Sequence, residues 1–219
     1  MARLLFKKTG NAIWISHLDL MRLFQRAFKR AGLPLKHTQG FNPRPSVSIA
    51  LPLSVGVESC CELLDFDIDG DAVFSCDEIK SRLNCVLVNG VQVIEVYDNG
   101  RKLKYLSYLR CAVTLEYNNG FPEDTKEQLE SLFRRERLLV TKKSKNGPIE
   151  QDIIPMIREL NITVENNAVV LVALICCQNP SMNPLQLVSA IEHYLPDYVP
   201  DHVKCIRHEI YDEEVKIFR

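Results

Sequence analysis

The sequence lacks the common signatures of cofactor and metal chemistry. It has no G-x-G-x-x-G motif and no Walker phosphate loop, which are the usual nucleotide-binding patterns. Its eight cysteines include no C-x-x-C pair and no Cys/His cluster with zinc-ligand spacing. We therefore expect no metal and no cofactor, and we expect the thiols to be reduced and mostly buried in a cytosolic protein.

Long apolar segments are also scarce. The longest one, Ala168 to Cys177, has 10 residues, about half of what spans a bilayer. The short apolar patch before Lys7 and Lys8 does not have the form of a signal peptide. With 46% hydrophobic and 25% charged residues, the composition is that of a globular protein. We expect a cytoplasmic protein without membrane contact.

Charge is distributed unevenly along the chain, although the net charge is only −1. Residues 1–50 carry a net +8, residues 51–100 a net −8, residues 101–150 a net +4 and residues 151–219 a net −5. Clustered positive charge is typical of a protein with an anionic partner. The alternative is that the acidic block faces the basic block within the fold.

The order of predicted elements indicates an α+β fold of two ferredoxin-like (βαββαβ) halves in tandem, with antiparallel sheets and helices on one face. The N-terminal half, residues 1–100, is predicted to have strands at 3–8, 46–51, 61–68 and 91–97, and helices at 17–31 and 75–84. The C-terminal half, residues 101–219, is predicted to have strands at 109–117, 138–143, 169–177 and 203–211, helices at 122–134 and 184–194, and an insertion at 144–167.

The first predicted helix carries the most specific local signals. Ser16-His17-Leu18-Asp19 fits a capping box at its start, and Gly32 followed by Pro34 ends it. One helical face is apolar, and the other carries cations without acids beyond the first turn. These cations are Arg22, Arg26, Lys29 and Arg30. The face could bind phosphate, lie in solvent, or pair with the acidic segment 58–78.

A connection of about 14 residues follows this helix, longer than the usual 2–6. Its polar members and its central aromatic suit recognition of a nucleobase. They are Lys36, His37, Thr38, Gln39, Phe41, Asn42 and Arg44. Alternatively, the amides bond their own backbone and Phe41 fills the core. In a split βαβ unit the two ends of the helix lie apart, so Ser16-His17 and the Gln39–Arg44 loop share a site only if the loop folds back.

A second cationic patch lies in the C-terminal half, at Arg134, Arg135, Arg137, Lys142 and Lys143, and Lys145 extends it. Groups for catalysis are few. His17 and His37 are weak candidates for a general base. Ser16 and Asp19 are better explained as a helix cap than as partners of His17 in a triad. Asp65, Asp67, Asp69 and Asp71 alternate along a strand end and turn, which favours a solvated edge over a cation site.

One long stretch carries a family resemblance. W-I-S-H-L-D-L-M-R-L-F-Q-R-A-F-K-R-A-G-L-P-L-K-H-T-Q-G-F-N-P-R-P, followed by S-V-S-I-A-L-P-L-S-V-G-V-E-S, resembles the radical SAM-linked family, an uncharacterised bacterial domain. The resemblance is specific over residues 3–66 and weaker beyond. It implies a partner, a B12-binding-type radical SAM protein, and no established reaction. The element order also resembles RNA-handling proteins such as CRISPR repeat endoribonucleases and some pseudouridine synthases, which is a likeness of fold only.

Three functions remain open from the sequence. The preferred one is a non-catalytic, RNA-binding accessory partner of a radical SAM enzyme in tRNA or rRNA modification. The second is a docking module that binds the radical SAM protein without nucleic acid. The third is an RNA-processing enzyme that uses His17 or His37. The sequence identifies neither the RNA nor the oligomeric state.

Overall fold

The computed structural model describes residues 1–70, 73–144 and 147–219. Asp71 of the acidic alternation and Lys145 of the second patch lie outside the described residues. The chain divides into two compact units, residues 1–103 with Arg219, and residues 104–218. The described residues form an α+β structure of mostly antiparallel strands and four α-helices. The division into a 1–100 and a 101–219 domain stays a prediction.

The first unit contains four strands and two α-helices. In chain order they are β1 (Ala2–Lys8), α1 (His17–Arg30), β2 (Val47–Ile49), β3 (Val57–Phe66), α2 (Cys76–Val86) and β4 (Val91–Tyr97). A short 3-10 helix, Gly10–Trp14, joins β1 to α1. Each element overlaps the one predicted from the sequence, and β4 has the predicted bounds.

The strands of the first unit are arranged in the order β4-β1-β3-β2, and each neighbouring pair is antiparallel. On β1, Leu4 lies opposite Leu64 of β3 and Val96 of β4. This register brings alternate apolar residues of the central strands to one face, as the two-residue period of a strand requires.

Both helices of the first unit pack on that face. The apolar stripe of α1 meets the sheet through two ring contacts, between Phe6 and Phe24 at 4.8 Å and between Phe28 and Phe66 at 4.9 Å. Leu83 of α2 belongs to the same buried cluster. Each fully buried side chain of this size contributes about 2–3 kcal/mol. The apolar half of the α1 wheel is therefore committed to the core, and the basic half is left outside.

The second unit has six strands and two α-helices: β5 (Leu106–Glu116), α3 (Thr125–Phe133), β6 (Leu139–Ser144), β7 (Gly147–Asp152), β8 (Ile157–Glu165), β9 (Ala168–Cys176), α4 (Leu185–Tyr194) and β10 (His202–Asp212). Four of the strands lie in the antiparallel order β10-β5-β9-β8. The remaining two, β6 and β7, form a separate two-stranded sheet with each other among the described residues.

The pairing of this hairpin differs from the sequence-based prediction. The sequence predicts a strand at 138–143, as the second strand of the C-terminal half, and an insertion at 144–167; β6 overlaps the predicted strand, but it does not take that place in the sheet. Instead, β6 forms the hairpin, and β8 supplies the sheet strand from within the expected insertion. β8 lies at the sheet edge and most of its residues are at least partly exposed. Its mixed sequence therefore lacks the apolar signal by which a central strand is recognised.

Candidate anion-binding site

The start of α1 is fixed by the predicted cap. The Asp19 backbone N–H donates to Ser16 Oγ at 3.2 Å, and the Ser16 hydroxyl donates to the Asp19 carboxylate at 2.7 Å. The cap is confirmed. These two contacts occupy the Ser16 hydroxyl in the cap, and its proton is directed to the Asp19 carboxylate. The hydroxyl therefore does not donate to His17, and the triad is not formed. The Ser16 hydroxyl and the Arg22 guanidinium hold the pKa of the Asp19 carboxyl below its usual value.

The four cations of α1 lie along one groove, which we call the α1 groove. It has a volume of about 690 Å³ and is lined by Ile15, Asp19, Arg22, Leu23, Arg26, Lys29, Arg30 and Val88. All four cationic side chains are exposed. The structure thus brings together the cations that the helical period predicts, on the half of α1 that faces away from the core.

The cations of the α1 groove differ in their partners. Arg22 donates to its helix neighbour Asp19 at 2.9 Å, and Arg30 donates to the Val86 carbonyl. Within residues 1–70, 73–144 and 147–219, Arg26 and Lys29 have no side-chain hydrogen bond or ion pair. Two positive charges on adjacent turns are therefore available to an external anion.

The acidic segment 58–78 pairs with other groups. Its carboxylates form ion pairs with Arg3, through Asp65, and with the Met1 amine, through Asp67. Glu78 forms an ion pair with Arg82. Where the structure describes this segment, none of its carboxylates contacts a cation of the α1 groove. The alternative that the α1 cations pair with segment 58–78 is therefore not met, although Arg3 of the basic block does pair with Asp65 of the acidic block. The contacts of Asp65 and Asp67 also account for two members of the alternating acidic set.

The long connection after α1 forms a narrow hairpin, which we call the 36–46 hairpin. Ser46 N–H donates to Lys36 O at 2.7 Å, Thr38 N–H donates to Arg44 O at 2.9 Å, and Arg44 N–H donates to Thr38 Oγ1 at 3.1 Å. Phe41 at the tip is fully exposed, at 109% of its reference area. The alternative in which Phe41 fills the core is therefore wrong.

The polar residues of the hairpin are also open to solvent. Lys36, His37, Gln39, Asn42 and Arg44 are all exposed. The hairpin is anchored at the far end of β3, where Lys36 N–H donates to Asp67 O at 2.9 Å. Ser16-His17 lies at the opposite end of the sheet, beyond Lys8 of β1. Because the hairpin does not fold back along α1, the structure does not join it and the start of α1 into one site.

Neither candidate histidine stands in a catalytic arrangement. His17 is half-buried in the first turn of α1, and His37 is exposed in the 36–46 hairpin. In the part of the chain that the structure describes, neither side chain has a hydrogen-bond partner. The tautomer of a histidine is set by the hydrogen bond that its other ring nitrogen makes, and the described contacts supply no such bond to either ring.

The second cationic patch, in the other unit, is largely engaged. Arg134 donates to Glu130 at 3.0 Å, Arg135 lies 5.2 Å from the centre of the Tyr194 ring, and Lys142 Nζ donates to Ser181 O at 3.0 Å. Arg137 is exposed and has no such partner among the described residues. Nothing is described for the Lys143 side chain. Among the side chains that the structure describes, this patch therefore offers one available charge, that of Arg137, against two in the α1 groove.

Two further residues, in the segments that precede α1, were not singled out by the sequence pattern. Trp14, the only tryptophan, is 68% exposed. The carbonyls on either side of it, Ile13 O and Ile15 O, accept from Lys8 Nζ at 3.1 and 2.9 Å. Lys8 is only 1% exposed, and burial lowers its pKa although the Glu62 charge opposes this. Short-range pattern gives no sign that a lysine is buried here.

No group of three potential metal ligands occurs in the described ranges. No described helix is long and apolar enough to cross a membrane. All eight cysteines are free thiols.

The comparisons with known proteins identify a family and a fold. A family model described as "Uncharacterized protein conserved in bacteria (DUF2344)" matches residues 2–184, so the chain belongs to this family. A chain from the crystal structure of a Cbf5-Nop10-Gar1 complex is 8% identical, with a TM-score of 0.53, over 97% of this chain and 50% of its own length. The present chain therefore spans about half of that neighbour, and at this identity the likeness concerns the fold alone.

A second solved structure is too dissimilar to support an argument about the fold. It is an unknown protein from Galdieria sulphuraria, 11% identical over 94% of this chain and 96% of its own, with a TM-score of 0.26. No curated protein matches the chain significantly.

Proposed function

We propose that this member of a bacterial family of uncharacterized proteins is a non-catalytic RNA-binding protein that holds phosphates in the α1 groove. The observation that carries the proposal is the availability of Arg26 and Lys29. Both side chains are exposed and make no hydrogen bond or ion pair among the described residues. Helix surfaces usually mix charges of both signs. A one-sided row of cations, two of them without a hydrogen bond or ion pair among the described residues, is typical of a surface that neutralises phosphate groups.

The 36–46 hairpin supplies a second contact for the same ligand. Phe41 stands fully exposed at its tip, between amide and cationic side chains. An aromatic ring flanked by hydrogen-bonding groups suits an unpaired base. α1 has 14 residues, so the hairpin and the start of the groove are separated by about 20 Å. A polynucleotide can reach both, whereas a mononucleotide cannot.

The proposal of a protein partner rests on the resemblance of residues 3–66 to the radical SAM-linked family. We propose that the protein presents tRNA or rRNA to a B12-binding-type radical SAM enzyme, in the cytoplasm. The chain's own residues do no chemistry in this scheme, since neither His17 nor His37 has a catalytic neighbour among the described residues. The free state of the eight cysteines agrees with a reducing compartment.

The proposed fold is a tandem of two ferredoxin-like units. The strand order β4-β1-β3-β2 of the first unit supports this interpretation, and so does β10-β5-β9-β8 in the second. In both units the chain runs strand, helix, two sheet strands, helix, strand. On this interpretation the β6–β7 hairpin is an insertion after α3, and β8 is the second strand of the unit.

The test measures direct binding of labelled RNA to the purified protein at low and at physiological salt. We expect binding that weakens with salt and is abolished by Arg26→Glu/Lys29→Glu. The matched control, Lys80→Glu/Lys102→Glu, changes the charge equally outside the groove and should bind normally. Absence of RNA binding at either salt by folded protein contradicts the proposal. If the reversal instead releases a co-purifying radical SAM protein and RNA never binds, the protein is a docking module.

A further inference from the structure

We infer that Trp14 is a stacking platform for an unpaired nucleobase at the start of the α1 groove, so that the ligand is single-stranded RNA at this point. The inference rests on the proposed function, because it concerns the same ligand. It adds a binding residue in the 3-10 helix before α1 and a preference between forms of RNA. Three features of the first unit carry it: the exposure of the indole, the way its backbone is held, and its position relative to the cations.

The exposure of Trp14 is high for the largest apolar side chain. The indole is 68% exposed, whereas the aromatic residues Phe6, Phe24 and Phe28 of the same unit are fully buried. One edge of the ring rests on Gly56, where an added Cβ would lie 3.5 Å from the indole. Aromatic rings left open beside a polyanion site are used for stacking on bases, because every base has a π-face.

The backbone around Trp14 is held firmly. Lys8 Nζ donates to the carbonyls on both sides of Trp14, at 3.1 Å and 2.9 Å. Gly56 N–H donates to Ile13 O at 3.0 Å. Burying an ammonium group is unfavourable unless hydrogen bonds compensate it. The buried ammonium group thus fixes the backbone segment that presents the indole, and a segment that is already ordered loses little conformational entropy when a base stacks on its side chain.

Trp14 also lies close in the chain to the cationic groove. It directly precedes Ile15, which lines the α1 groove together with the four cations. The backbone of Ile15 and Ser16 is extended, so Trp14 is presented ahead of the helix. Leu18, in the first turn of α1, is 66% exposed. The surface is therefore apolar around the start of α1 and cationic further along it. A single strand offers bases and phosphates to such a surface, whereas a duplex keeps its bases stacked and offers phosphates.

The test uses the fluorescence of Trp14, which reports on this one site because the chain has no other tryptophan. A short oligouridylate is added to the full chain while a label on the RNA reports binding independently. We expect the two signals to titrate together, with Trp14 emission quenched. Inorganic polyphosphate, which carries the charges without bases, should displace the RNA and leave the emission unquenched. A perfect RNA duplex should bind with little quenching.

Variants separate stacking from charge. Trp14→Leu should weaken oligouridylate binding by about 5- to 150-fold and leave polyphosphate binding unchanged, whereas Trp14→Phe should retain most of the affinity. Tyr105→Leu, which removes another exposed aromatic side chain, is the matched control and should bind like the wild type.

The outcomes distinguish this inference from the proposed function. RNA that binds without quenching Trp14, or that binds Trp14→Leu as well as the wild type, overturns the inference and leaves the proposed function standing. Failure of all RNA to bind folded protein overturns both. Weakening of a protein partner by Trp14→Leu, with RNA binding unchanged, also overturns the inference and assigns the ring to protein docking.

Discussion

The salt dependence of RNA binding should fall by a defined amount when Arg26 and Lys29 are neutralised. For single-stranded nucleic acid, the slope of log affinity against log salt is about −0.7 for each phosphate neutralised. Contacts from all four cations of the α1 groove give a slope of about −2.8. Arg26 and Lys29 make no hydrogen bond or ion pair among the described residues and supply two of these four contacts. The slope should therefore fall by about 1.4 in the variant Arg26→Gln/Lys29→Gln.

The effect is large enough to measure by anisotropy of labelled RNA. Between about 50 and 200 mM salt, a slope of −2.8 weakens binding about 50-fold, and a slope of −1.4 weakens it about 7-fold. Glutamine matches arginine and lysine closely in helix propensity, so α1 should persist, which circular dichroism checks. The control is Lys80→Gln/Lys102→Gln, two cations of the same unit outside the groove.

Two results would refute this reasoning. One is a slope that does not change in Arg26→Gln/Lys29→Gln, which would mean that the two available cations do not meet phosphate. The other is an equal fall in the control variant, which would mean that the binding responds to overall charge and has no defined groove.

Two further predictions concern stability. Arg3→Met removes the two hydrogen bonds, at 2.5 and 3.0 Å, that the guanidinium donates to the largely buried Asp65 carboxylate. We expect the free energy of unfolding in denaturant to fall by about 3 kcal/mol. A fall below about 0.5 kcal/mol, that of an ordinary surface change, would contradict this prediction. Burial also raises the pKa of three thiols of the second unit from 9.0 to about 12; they are Cys111, Cys177 and Cys205. The stability that these neutral buried thiols contribute is therefore fully present below pH 9 and is lost as pH rises towards 12. A denaturation midpoint that does not fall over this range would contradict this prediction.

The local elements were predictable because their signals are local. The Ser16 cap, the apolar stripe of α1 and the stop at Gly32 all lie within one stretch of about 17 residues, and each acts through neighbours three or four positions away. The same holds for α2, which begins after Ser75 as expected. The cations of the α1 groove follow directly, because a helix with one buried face must expose the other.

The hairpin strands and the edge strand show where local pattern fails. β6 and β8 are both mixed in character, and the strand that each pairs with decides its place in the fold. β8 pairs with β9 over its whole length, whereas β6 pairs with β7. Which of two half-exposed segments joins a sheet depends on long-range strand pairing and on chain closure. Neither can be inferred from a short stretch of sequence.

The candidate site divides in the same way. The sequence by itself determined that α1 has an unmixed basic face, since helical period and charge are local properties. Only the tertiary structure decided that Arg26 and Lys29 make no hydrogen bond or ion pair among the described residues, that Phe41 stands outside the core, and that Lys8 is buried against the carbonyls on either side of the exposed Trp14. Exposure and pairing depend on which distant segments cover a side chain, and those segments are brought together by folding.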